Sequence, residues 1–210
     1  MNFLVIWILL IGYAVFLAPG GDADPVFSKI LSMEWGAIDP LVFAVFNSLG
    51  LFPAVFLTLL GLNDRQRWPA WPFALASFAV GAFALLPYFA FGQKPAKRKL
   101  RTPGWLLRFL SSRIWLIALI VLSVGNLLTL LQGFSLTAYR EAFFASSLVS
   151  VMTVDWFVLW GLSVYTVHRF YPEARSKALA WIPIIGPALV LLFNRPLLKQ
   201  EHAVKRNKTG

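Results

Sequence analysis

Residues Ala145–Arg169, ASSLVSVMTVDWFVLWGLSVYTVHR, decide how the rest of the chain must be read. The stretch is apolar, and ~20 residues rising ~1.5 Å each cross the ~30 Å hydrocarbon layer of a bilayer as one helix. Asp155 lies near its middle. A charge at that depth costs at least ~2.5 kcal/mol on insertion scales, so the carboxylate must face protein or water, or carry a proton. The other apolar segments are expected to pack around this helix and make it tolerable.

Composition agrees with a membrane setting. Apolar residues make up 59% of the 210-residue chain and charged residues 13%, against roughly 25% charged in an ordinary globular domain. The charges fall in short clusters between long apolar runs, as in multi-span proteins. The fold class expected is all-α, a polytopic bundle of transmembrane helices. The apolar segments lie at about 3–17, 40–62, 71–91, 114–133, 145–167 and 178–194, all in one integral membrane domain, and a basic, disordered tail is expected over 195–210.

The first segment, 3–17, lacks a basic start and a small-residue cleavage site, so an uncleaved helix is expected rather than a signal peptide. Between it and Pro40 lies a loop with Asp22, Asp24, Glu34 and Asp39 against Lys29. A solvated loop is the expectation for these acids, with a short interfacial helix within Val26–Trp35. In the second segment Asn47, Ser48, Gly50 and Pro53 cluster. Pro53 cannot donate to the Leu49 carbonyl, so a kink is expected there. Small residues four apart, Gly50 with Ala54 and Ser77 with Gly81, permit close helix approach, and the second and third segments are expected to pair as an antiparallel hairpin.

The most charged segment follows. Lys94, Lys97, Arg98, Lys99 and Arg101 are a candidate contact for anionic lipid headgroups or a membrane-protein partner, and Trp105–Leu110 reads as an amphipathic stretch at the membrane surface. In the fourth segment Ser123, Asn126, Thr129 and Gln132 recur every third residue, a slanted polar row. Asn126 is a candidate partner for Asp155. These two residues and Asn47 are the candidate intramembrane functional residues. The sixth segment contains Pro183, Gly186 and Pro187, and so forms either a short kinked crossing or a re-entrant hairpin. Six crossings are expected, although a re-entrant sixth segment would bring the basic tail to the side of the basic third loop, as the positive-inside rule favours.

The chain holds no cysteine and only two histidines, His168 and His202. Thiolate chemistry is excluded, and no cofactor or metal site is expected. No phosphate loop, dinucleotide fingerprint, H-E-x-x-H motif or nucleophile elbow occurs, so catalysis has no positive support. The net charge of +10 flanks apolar spans, which points to lipid headgroups rather than nucleic acid.

The runs FNSLGLFPAVFLTLL (46–60) and PAWPFALASFAVGAFALLPYFAF (69–91), with W-I-P-I-I-G-P-A-L-V-L-L-F-N-R-P (181–196), resemble a family of uncharacterised multi-pass membrane proteins of cyanobacteria and plastids. That resemblance implies a plasma membrane or a thylakoid or plastid membrane and no assigned activity. The segment I-P-I-I-G-P-A-L-V-L-L-F-N-R is also similar to the short membrane anchor preceding phospholipase D-type cardiolipin synthases. The His-x-Lys motif of those enzymes is absent, so no activity carries over. The expectation is a non-enzymatic scaffold, assembly or lipid-interacting factor, with a membrane-protein partner or as a homo-oligomer. The alternative is a small transporter or channel using Asp155 as a protonatable group.

Overall fold

A computed structural model describes residues 2–19, 24–64, 66–92 and 102–194. Among these residues the chain is all-helical. In chain order the α-helices are α1 (Phe3–Gly12), α2 (Pro25–Leu31), α3 (Pro40–Gly61), α4 (Ala70–Val80), α5 (Ala82–Phe91), α6 (Gly104–Leu110), α7 (Arg113–Leu128), α8 (Leu136–Ala145), α9 (Ser147–Phe170) and α10 (Ile185–Asn194). A π-helical turn at Tyr13–Leu17 extends α1, and a 3-10 turn at Thr129–Gln132 extends α7. Three helices are long and apolar enough to cross a membrane: α3, α7 with its extension, and α9. The basic cluster Lys94, Lys97, Arg98, Lys99 and Arg101 and the tail 195–210 lie outside the described residues.

Helices α3 and α9 run parallel at the centre. At one end Tyr171 Oη donates to the Leu59 carbonyl at 2.6 Å and Asn63 Nδ2 to the Phe170 carbonyl at 2.7 Å. At the other end Val42 packs with Val149 and Met152. Helix α7 lies antiparallel on α3, with Trp115 Nε1 on Thr58 Oγ1 at 2.9 Å and Asn126 Nδ2 on the Ala44 carbonyl at 2.9 Å. Helix α1 runs antiparallel to α9: the Phe3 ring meets that of Tyr165 at 4.9 Å, and Tyr13 Oη pairs with Ser150 Oγ at 2.6 Å. Pro53 sits inside α3 without ending it.

The expected third span is two helices, not one. At Gly81 the backbone takes φ 54° and ψ −133°, and the chain reverses. Helix α5 returns along α4, so that Arg67 N–H donates to the Gly92 carbonyl at 3.1 Å. The Phe73 and Tyr88 rings face each other at 5.6 Å, and those of Trp68 and Phe91 at 6.2 Å. Each arm of ten or so residues is ~15 Å long, about half a hydrocarbon layer. Gly81 is thus the tip of a hairpin, rather than half of a small-residue packing pair.

The sixth segment also folds back. A 3-10 turn at Lys177–Trp181 leads inward until the Trp181 carbonyl accepts from Trp160 Nε1 at 3.0 Å. The chain turns through Ile184 at φ 62°, and α10 returns. Its last residue, Asn194, accepts from Arg175 N–H at 2.7 Å and donates to the Arg175 carbonyl at 3.0 Å. Gly186 lets the two arms touch, since a Cβ there would overlap the Leu179 carbonyl. Of the two shapes the sequence allowed here, a single kinked helix and a hairpin, the structure has the hairpin. The bundle therefore has two helical hairpins, both open at the end where α3 and α9 finish.

At the opposite end, two of the four acids expected in a solvated loop, Asp24 and Asp39, are helix caps; Glu34 is exposed and makes no capping bond, and Asp22 lies outside the described residues. The Asp24 carboxylate accepts from Val26 N–H and Phe27 N–H at the start of α2, and from Leu148 N–H, Ser146 Oγ and Ser147 Oγ at the start of α9. Asp39 accepts from Leu41 N–H at the start of α3 and from Ser135 N–H, at the residue capping α8. Helix starts leave amide donors unpaired, and a carboxylate there satisfies them and complements the helix dipole. One acid fastening two starts replaces the freedom of a loop with a fixed joint.

Candidate functional site

The site forms where the first hairpin ends against α9. Asp155 is 4% exposed, and its Oδ1 accepts from Ala82 N–H at 2.8 Å. That amide is the first of α5, and in a continuous helix it would bond to the Phe78 carbonyl. The reversal at Gly81 takes the donor away, and Asp155 replaces the acceptor. Gly81 is required twice. Its φ is one that residues with a Cβ rarely adopt, and a Cβ there would overlap Asp155 Oδ2.

Irregular backbone at membrane depth is tolerated only where its polar groups are satisfied by protein or face a water-filled cavity. Around the tip, Gly81 N–H bonds to the Ser77 carbonyl at 2.8 Å, and the Phe83 carbonyl accepts from Trp7 Nε1 at 3.1 Å. Helix α1, through Trp7, and α9, through Asp155, thus hold the hairpin from two sides. The same principle runs through the chain: among the described residues every aspartate accepts from a backbone amide at or beside a helix start, Asp64 doing so from Ala70 N–H at 3.1 Å.

Beyond the tip, between the first halves of α3 and α9, lies a cavity of about 660 Å³. This is a typical size for a small-molecule site. Its walls are apolar, with Phe46, Phe78, Phe83, Val151 and Met152, and its polar side chains are Asn47, Ser77 and Asp155. Among the described residues no Lys, Arg or His lines it. Gly50, Phe78 and Val80 are exposed at its lip, so it opens sideways from the bundle. Beneath the hairpin a half-length arm leaves space, and that space is the cavity.

Two of the three expected intramembrane residues, Asp155 and Asn47, therefore share this cavity. The third does not. Asn126 Nδ2 bonds to the Ala44 carbonyl and to Ser48 Oγ at 3.0 Å, on the α7 side of α3, and makes no contact with Asp155. Its neighbours in the polar row bond within their own helix, Ser123 to the Leu119 carbonyl and Thr129 to the Asn126 carbonyl. Of these three, only Asn126 bonds across from α7 to α3.

Sequence reasoning missed Gly81 and Met152 as parts of the site. The signal for Gly81 was present, a glycine alone in the middle of a hydrophobic segment too regular to need one. Among the described residues no group of three or more His, Cys, Asp or Glu is arranged to hold a metal ion. The chain matches no family model, no curated protein and no solved structure.

Proposed function

We propose that the chain is an integral membrane protein that holds a lipid-like, amphiphilic molecule in the cavity beneath its first hairpin, without catalysing a reaction on it. The cavity itself carries this reading: it is apolar, about 660 Å³ in volume, and opens sideways at the depth of the hairpin tip. A molecule dissolved in the bilayer reaches such an opening directly. In this reading α3, α7 and α9 cross the membrane, α1 with its π turn forms a fourth, shorter crossing, and the two hairpins are re-entrant. The described cations divide unevenly between the ends. Arg67, Arg108, Arg113, Arg169, Arg175 and Lys177 lie at the hairpin mouths and the ends beside them, whereas Lys29 and Arg140 lie at the other end. The positive-inside rule then puts the hairpin mouths in the cytoplasm or stroma.

The test is to purify the protein in lipid nanodiscs and extract what remains bound. Gly50→Phe is the control, because a side chain at Gly50 meets open space and would project into the cavity. The expected result is an amphiphile enriched over bulk lipid in the wild type and lost in the variant. Equal lipid profiles would overturn the reading.

A second reading is favoured by one observation. Interrupted helices whose half-helix starts lie at membrane depth build the substrate sites of secondary transporters, and here such a start meets Asp155. A transporter of this kind would move a solute or proton past Asp155, and Asp155→Asn would abolish flux in proteoliposomes. Unchanged flux would remove that residue from the pathway.

A further inference from the structure

We propose that the cavity beside Gly81 is a binding site for a lipophilic primary ammonium, with the cationic head on Asp155 and the hydrocarbon tail along the Phe46–Met152 wall. The proposal rests on the cavity-binding reading above and names the ligand's chemistry.

Asp155 is only half satisfied by the protein around it. One carboxylate oxygen, Oδ1, is committed to Ala82 N–H. Among the described residues Oδ2 makes no hydrogen bond, although the side chain is 4% exposed and lines the cavity. A buried carboxylate requires a charge partner or further donors. The start of α5 supplies about half a positive charge by its dipole, and the cavity lining supplies no cationic side chain. Asp155 is therefore either protonated or paired by a ligand, and the ligand that keeps it ionised is one positive charge bearing N–H donors.

The surroundings define its shape. Asn47 lies in the same lining with an amide oxygen that can accept, and the regular donor of the Phe78 carbonyl, Ala82 N–H, is bonded to Asp155 instead. Acceptors of this kind suit an –NH3+ head, which donates, better than a quaternary head, which cannot. Phe46, Phe78 and Phe83 present aromatic rings, which attract a cation further. A carboxylate or phosphate head would meet the like charge of Asp155, and no described cation in the lining would offset it. The apolar remainder of the cavity suits an alkyl tail, and the side opening allows it to enter from the bilayer.

Three molecules with one tail test this: dodecylammonium, dodecanol and dodecanoate, radiolabelled, each titrated onto the full chain in nanodiscs. Saturable binding is measured above that of the Gly50→Phe protein, which removes partition into lipid. Dodecylammonium is expected to bind about tenfold more tightly than dodecanol, as befits a charge-assisted hydrogen bond, and dodecanoate is expected not to compete. Asp155→Asn keeps an acceptor for Ala82 N–H and removes the charge, so dodecylammonium should fall to the level of dodecanol. Equal binding of the ammonium and the alcohol to the wild type would overturn the head-group inference and leave the cavity-binding reading standing. Binding of all three that is indifferent to Gly50→Phe would overturn both. The wild-type comparison needs no variant at Asp155, so poor folding of Asp155→Asn does not spare the proposal.

Discussion

The two hairpins enter the bundle from the same end and reach the middle of α9, yet their tips are made differently. The first turns on Gly81, and a carboxylate from α9 bonds to its backbone at the deepest point. The second turns on Ile184, an apolar residue 5% exposed, and is clamped at its mouth by Asn194 and midway by Trp160. A re-entrant turn needs only to satisfy its own polar backbone. The second hairpin does so with local turns, Ile185 N–H on the Pro183 carbonyl and Gly186 N–H on the Ile182 carbonyl at 3.0 Å, and with a neutral indole. The first uses an acid where a neutral group would serve at lower cost. That difference marks the first tip as the place where charge is useful, and the second as a structural filler of the same half-layer.

The comparison breaks most readily at Gly81. Substitution by alanine forces an L side chain into a conformation costing ~1–3 kcal/mol and adds an overlap costing a further ~1–3 kcal/mol. Gly81→Ala is expected to lower the melting temperature in nanodiscs more than any other single change described here, or to prevent assembly. If the variant melted like the wild type, the tip would not be held as described.

The second hairpin is tested at its mouth. Asn194 makes three side-chain hydrogen bonds, two with the Arg175 backbone and one to the Val190 carbonyl at 2.7 Å. Asn194→Ala leaves the part-buried Arg175 N–H and carbonyl without their partner and should cost about 1–2 kcal/mol. Binding to the cavity should be unchanged, because none of these groups lines it. A variant that lost ligand while keeping its fold would show that the two hairpins are coupled.

How much of this could be read from the chain alone follows from what a hydrophobic run encodes. Length and composition specify helices in lipid, and α3, α7 and α9 lie where the apolar runs at 40–62, 114–133 and 145–167 put them. They do not specify whether ~20 apolar residues go through once or go in and out. Residues 71–91 satisfy the criterion for a span, and only the φ of Gly81 distinguishes the outcomes. Residues 178–194 carried visible breakers, Pro183, Gly186 and Pro187, so there the reversal could be foreseen. Asp155 was legible because a charge in hydrocarbon is expensive in any fold. Its partner was not, because the donor is a backbone amide created by a turn elsewhere. Asn126 misled for the opposite reason: a polar side chain in a span must bond to something, but the acceptors it meets are the Ala44 carbonyl and the Ser48 hydroxyl of α3. Asp24 and Asp39 resembled loop acids because capping depends on where α8 and α9 begin.

At the end without hairpins, Asp24 provides a smaller effect that pH can read. Burial raises its pKa, but the hydrogen bonds from Leu148, Phe27, Ser146 and Ser147 outweigh burial and leave it below the ordinary value. A carboxyl depressed in the folded state adds stability that is complete above its unfolded pKa of about 4 and is lost as pH falls through the folded value. Melting temperature should therefore decline below about pH 4. Asp24→Ala should flatten that decline and cost about 1 kcal/mol at neutral pH. A decline as steep in the variant as in the wild type would assign the effect to other groups.

The smallest change has the opposite sign. Ser176 precedes the inward 3-10 turn of the second hairpin, is exposed, and holds φ 60° and ψ 35°. A left-handed conformation costs a residue with a Cβ ~1–2 kcal/mol, whereas glycine adopts it freely but loses ~0.5–1 kcal/mol more chain entropy on folding. The Ser176 carbonyl that accepts from Leu179 N–H at 2.9 Å is kept by glycine. Ser176→Gly should therefore raise stability by about 0.5 kcal/mol. Gly81→Ala reverses the same exchange at the first hairpin, and there the overlap with Asp155 magnifies the loss. Opposite signs at the two positions would tie both hairpins to their left-handed residues, and destabilisation by Ser176→Gly would show that the second hairpin depends on its serine side chain instead.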